Sequence, residues 1–117
     1  MDGLFLRFYF QESQKCPGGV AWGWLLKQAN KMKIRGGSAF RAMAGFGHHH
    51  VLHEMEFFEV VSPVAVEVEF VVTEAEAAAL LELVRAEGIR TVYARIPATF
   101  GVVNPDRSDP VSPGGEA

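Results

Sequence analysis

The sequence predicts an α+β domain: four strands in one antiparallel sheet, with two helices packed on one of its faces. Three observations lead there. Leu4 to Phe10 and Val64 to Val72 carry apolar side chains at the two-residue period of a strand with one face buried. Two other segments repeat apolar residues at helical spacing. Along the chain these segments follow the order strand, helix, strand, strand, helix, strand.

The first strand is aromatic-rich and sets Leu4, Leu6, Phe8 and Phe10 on one face. Gln11 to Gly19 reads as a loop closed by Pro17-Gly18-Gly19, and it contains Cys16. A helix is predicted over Val20 to Lys33, with Trp22, Leu25, Leu26, Ala29 and Met32 in one stripe. Lys31 and Lys33 fall in its last turn, where cations suit the negative end of the helix dipole. Gly36-Gly37 ends that segment, and Ser38 to Ala44 is a second strand with Arg41 at its middle. Leu52 to Val61 is compatible with extended chain, until Ser62-Pro63 breaks it, because proline has no N–H to give a ladder. In the next strand Val64, Val66, Val68 and Phe70 alternate with Ala65, Glu67, Glu69 and Val71. Thr73 with Glu76 forms a capping box for a helix over Glu74 to Glu87, which buries Ala77, Leu80, Leu81 and Val84 and stops at Gly88. Ile89 to Ile96 is the last strand, ended by Pro97.

This order is the split β-α-β of a ferredoxin-like fold, βαββαβ. Residues 1–103 are predicted as one such domain. From Asn104 onward Pro, Gly, Asp and Ser dominate without an apolar period, which predicts a disordered tail over 104–117. With both helices on one face, the other is expected to show Phe5, Arg7, Tyr9, Arg41, Met43, Glu67, Glu69, Tyr93 and Arg95. Aromatics mixed with both signs of charge predict that another subunit covers this face. Arg7 and Arg41 opposite Glu67 and Glu69 are candidates for cross-strand or intersubunit pairs.

Composition narrows the function classes. A chain of 117 residues is one domain by length, and 49% apolar residues can supply its core. A net charge of −3 lacks the basic stripe of a nucleic-acid binder. No apolar run approaches the roughly 20 residues that span a bilayer, so no membrane insertion is expected. Met1 leads directly into a strand pattern rather than a signal peptide, and a single cysteine fits the cytoplasm. No serine or cysteine stands beside a credible base. His53 and Glu54, as strand neighbours, would point to opposite faces, so catalysis is not expected.

The stretch of chemical interest is Ala44-Gly45-Phe46-Gly47-His48-His49-His50-Val51-Leu52-His53. Its glycines tolerate positive φ and let a ligand approach the backbone. The four histidines of the chain all lie here. On a strand His48 and His50 share a face, and a turn would bring His53 near them. Neutral imidazoles suit Zn²⁺ or Cu²⁺, so His48, His50 and His53 form a candidate metal set.

The run Gly45-Phe46-Gly47, a polar loop, and then Ser62-Pro63 leading into Val64 to Val72 resembles the nitrogen-regulatory PII proteins. There a Gly-Phe-Gly opens the long T-loop, and a proline before an alternating strand closes it. The sequence is closer to a PII-like group, the family of domain of unknown function 190. Leu6-Arg7-Phe8-Tyr9, Glu12-Ser13, Gly37 to Arg41, Gly45-Phe46-Gly47 and His53 are similar to that family's pattern, and the similarity runs from about residue 3 to 97. It implies a homotrimer that binds a small effector, typically an adenine nucleotide, in clefts between subunits. It also implies a loop, here 48–61, whose shape reports the effector to a regulated protein such as a membrane transporter. The residues matching the ligand site are Gly45, Phe46, Gly47 and His48. The turn Glu87 to Thr91 matches the PII phosphate-holding loop, and Arg90 or Arg95 would suit an anionic ligand. The sequence departs from true PII proteins in three ways: Gly88 stands alone where they have a glycine-rich loop, the T-loop is shorter, and its modified tyrosine is missing. These departures put ATP with 2-oxoglutarate in doubt and leave a smaller nucleotide, or none, on an equal footing with it. The resemblance does not extend to His48 or His50 as metal ligands.

Overall fold

A computed structural model of the chain describes residues 1–46, 53–54 and 64–110. Its centre is β1 (Asp2–Gln11), whose burial alternates along the strand: Leu4, Leu6, Phe8 and Phe10 are buried. A hairpin of β2 (Lys15–Cys16) and β3 (Gly19–Val20) leads into α1 (Ala21–Lys31). Then come β4 (Gly37–Arg41), the two-residue strands β5 (Ala44–Gly45) and β6 (His53–Glu54), β7 (Ala65–Val72), α2 (Glu74–Ala86) and β8 (Val92–Thr99). The main sheet has the order β4-β7-β1-β8 and is antiparallel at every pairing. This is the ferredoxin-like arrangement expected, with both helices on one face.

One core joins the layers. Val66, Val68, Phe70 and Val72 of β7 pair with the inward residues of β1, and Ala21, Leu25 and Ala29 of α1 and Ala77, Leu80 and Val84 of α2 close over them. Phe8 meets Phe70 edge to face at 6.2 Å. The α2 cap forms as the sequence indicates: the Glu76 N–H donates to the Thr73 hydroxyl and the Thr73 N–H to the Glu76 carboxylate. Gly88 then turns the chain with φ +78°.

Four details differ from expectation, each for a local reason. The first helix is shorter at both ends. Val20 pairs with Lys15 in the hairpin, and Lys33 ends the helix in the left-handed region at φ 63°, with the Ile34 N–H bonded back to the Ala29 carbonyl. Gly37 belongs to β4 rather than to a terminating turn, because the strand there passes against the Phe70 ring. The strand expected over Ser38 to Ala44 is split: β4 stops at Arg41, and Ala44–Gly45 form a separate ladder with His53–Glu54. Pro97 lies inside β8 rather than after it, which is tolerated because β8 is an edge strand.

The pairing register also changes the open face. Arg41 is opposite Val66, Tyr93 opposite Phe8 and Arg95 opposite Leu6, so all three stand on the helix side of the sheet. Met43 lies in the bend between β4 and β5. The open face instead carries Phe5, Arg7 and Tyr9 with Ser38, Phe40, Glu67, Glu69, Val92, Ala94 and Ile96. Phe40 and Val92 there are more than half exposed, at 52% and 65%. The face is thus more apolar than expected, and its charged residues are central. Residues 104–110 are exposed and contain a turn closed by the Arg107 N–H on the Asn104 carbonyl.

Candidate functional site

Of the residues proposed from sequence, Gly45, Phe46 and Arg90 fall at one end of the sheet but on its two opposite edges. Gly45 and Phe46 follow β4, and the backbone of Gly45 pairs with that of His53. Gly47, His48 and His50, and most of the 48–61 loop, lie outside the described residues, as does the His53 side chain. Arg90 precedes β8, on the far edge. Between them run β7 and β1, so the two edges are about 14 Å apart at an ordinary strand spacing. Among the described residues, neither of the two grooves found is lined by Gly45, Phe46 or Arg90.

Arg90 is exposed, and its guanidinium has no ion-pair partner among the described residues. Its backbone is held. The Arg90 carbonyl accepts from Gln14 Nε2 at 3.0 Å, and the Thr91 hydroxyl donates to the Tyr9 carbonyl at 2.7 Å. One turn earlier, the Gly18 N–H donates to the Glu87 carboxylate at 3.2 Å. An anchored backbone with an unengaged cation can meet an anion without first breaking an internal pair. Arg95 is differently placed. It is engaged by Glu74 at the start of α2, on the helix side, away from Arg90.

Other pairs shape the surroundings. Arg7 Nε donates to Glu69 Oε1 at 2.5 Å across the open face, as the strand pairing suggests. That hydrogen bond raises the Arg7 pKa further above its ordinary range, with the charges of Glu69 and Glu67 adding to it. Arg41 makes a two-pronged contact with Glu12, at 2.9 and 3.0 Å, rather than with Glu67 or Glu69. At the opposite end of the sheet lies a groove of about 420 Å³, lined in part by Arg35, Gly36, Gly37, Glu69 and Phe100, where the Arg35 guanidinium lies 5.7 Å from the centre of the Phe100 ring. No pattern in the sequence announces this groove, because Arg35 and Phe100 are 65 positions apart and belong to different connections. Gln14 is likewise silent in the sequence: a lone glutamine in a loop carries no spacing signal.

No group of three or more His, Cys, Asp or Glu able to hold a metal is found among the described residues. The His48, His50 and His53 alternative gains no structural support. No helix among the described residues is long and apolar enough to cross a membrane.

The fold is that of PII-like proteins. A PII-like signaling protein from Thermus thermophilus superposes with a TM-score of 0.56 at 16% identity, covering 83% of this chain and 89% of that one. CPII from Thiomonas intermedia K12, in complex with ADP and bicarbonate, gives a TM-score of 0.62 at 14% identity, over 87% and 91% of the two chains. A second CPII structure, with ADP, AMP and bicarbonate, gives 0.52 at 14% identity over 84% and 89%. Residues 3–92 match the family of domain of unknown function 190, described as uncharacterized ACR, and the chain belongs to that family. A curated relative, the UPF0166 protein of Aquifex aeolicus (strain VF5), is 27% identical over 96 residues, spanning 75% of this chain and 91% of that protein.

Proposed function

We propose that this protein is a PII-like cytoplasmic regulator. It assembles as a homotrimer, binds an adenine nucleotide in the clefts between subunits, and reports occupancy through the 48–61 loop to a regulated protein such as a membrane transporter. The observation that carries the reading is the split site. The Gly45–Phe46 edge and Arg90 lie on opposite edges of one sheet, at the same end, so a pocket containing both is completed by a neighbouring copy. The exposed Phe40, Val92 and Ile96 on the open face are what such a neighbour would cover. The adenine nucleotides bound in the CPII structures support this ligand class. Bicarbonate, the other ligand there, is a second anion to try.

In this reading the Gly45-Phe46-Gly47 segment of one chain and the Arg90 guanidinium of its neighbour both meet the ligand's phosphate oxygens. Calorimetric titration with AMP, ADP and ATP tests it. Saturable binding of one nucleotide per chain is expected, and Arg90→Ala should weaken it at least tenfold, about 1.4 kcal/mol. Unchanged affinity in Arg90→Ala would remove that residue from the site. Silence with all the nucleotides would remove the nucleotide.

A further inference from the structure

Among the described residues, one turn touches both halves of the proposed site. Gln11 to Gln14 form a β-turn closed by the Gln14 N–H on the Gln11 carbonyl at 3.0 Å. From it, Glu12 reaches toward the β4 edge and Gln14 toward the β8 edge. The Glu12 carboxylate receives both Arg41 contacts shortly before β5, and the Glu12 N–H donates to the Val64 carbonyl at 2.7 Å, where the chain returns to the sheet. The Ala42 N–H, beside it, donates to the Ala65 carbonyl at 2.8 Å. Glu12 therefore clamps the entry and the exit of the loop. Gln14, two residues on, holds the Arg90 carbonyl.

We infer that Glu12 and Gln14 are positioning residues, and that the turn they share couples the Arg90 segment to the base of the loop. A four-residue turn closed by its own hydrogen bond moves as one body. A displacement of the Arg90 backbone pulls Gln14, and the same movement shifts Glu12, Arg41 and the loop base. The Glu12–Arg41 pair is half exposed, so it contributes little to stability; its consequence is geometric. This inference rests on the nucleotide-sensing reading for its purpose, but the coupling exists without ligand and is tested without it.

The test is amide hydrogen exchange on the full chain, comparing wild type with Gln14→Glu, which keeps the shape of the side chain and lacks the N–H₂ donor. Without nucleotide, exchange over residues 87–91 should rise, and exchange over 42–46, which Gln14 does not touch, should rise at least threefold with it. The β1 and β7 core amides should stay unchanged. Acceleration confined to 87–91 would overturn the coupling, and so would a uniform rise that includes the core, since that marks simple destabilisation. With ADP added, wild type should gain protection over 42–46, and Gln14→Glu should lose most of that gain. Absence of ADP protection in wild type would count against the nucleotide reading alone, because the ligand-free comparison judges the coupling separately.

Discussion

Gly37 shows how tightly single residues are fitted into the sheet. Gly37 is exposed on the edge strand β4, yet a Cβ at this position would lie 2.6 Å from the Phe70 ring. Phe70 is fully buried and packed edge to face on Phe8, which holds its ring on that side. Gly37→Ala should therefore cost about 1–3 kcal/mol in urea unfolding, in the range of an overpacked core. A neutral effect would mean that β4 is held less closely than its pairing implies. Gly3 is under a related constraint, since a Cβ there would stand 2.7 Å from the Phe100 ring. In the sequence the Gly36-Gly37 pair reads as a stop signal. The ring that actually demands glycine is more than 30 positions away, and no local pattern contains it.

At the level of elements, what is legible in the sequence is what depends on near neighbours. The α2 cap needs only Thr73 and Glu76, three residues apart, and it forms as written. The inward row of β7 needs only its own alternation. β8 has neither signal: Val92-Tyr93-Ala94-Arg95-Ile96-Pro97 mixes size and polarity on both sides, so its facing depends on the register with β1. That is why Tyr93 and Arg95, expected on the open face, stand on the other. Arg41 departs from expectation for a similar reason, because β4 is short and ends at the residue in question. The candidate site shares this limit. Its turn and its arginine can be named from motifs, but the turn at Gln11–Gln14 that links them is visible only in three dimensions.

An element also carries a simple pH dependence. Glu82 and Arg85 pair one turn apart on α2, and the hydrogen bond from Arg85 holds the Glu82 carboxyl below its ordinary pKa. A carboxylate with a lowered folded pKa stabilises the folded state above its unfolded pKa, and loses that contribution as pH falls through the folded value. Wild type should therefore hold a small advantage over Glu82→Gln in thermal unfolding at neutral pH. The advantage should vanish as the solution is taken below the ordinary carboxylate range. A difference that persists in acid would mean that helix propensity, and not the ion pair, separates the two.

For the whole molecule, the unequal faces of the sheet are decisive. One face is closed by two helices over a continuous core. The other presents Phe40, Val92 and Ile96 to solvent in the single chain, around a central Arg7–Glu69 pair. Half-exposed aromatic and aliphatic side chains in one sheet face are costly to leave in water. The same face lies between the two edges that carry the proposed site residues, so assembly and ligand binding are one proposal. Its most direct test is native mass spectrometry of the purified chain with and without ADP. The expected result is a species of three chain masses that takes up as many as three nucleotides. A monomer that stays a monomer and binds nothing at saturating ADP would contradict it.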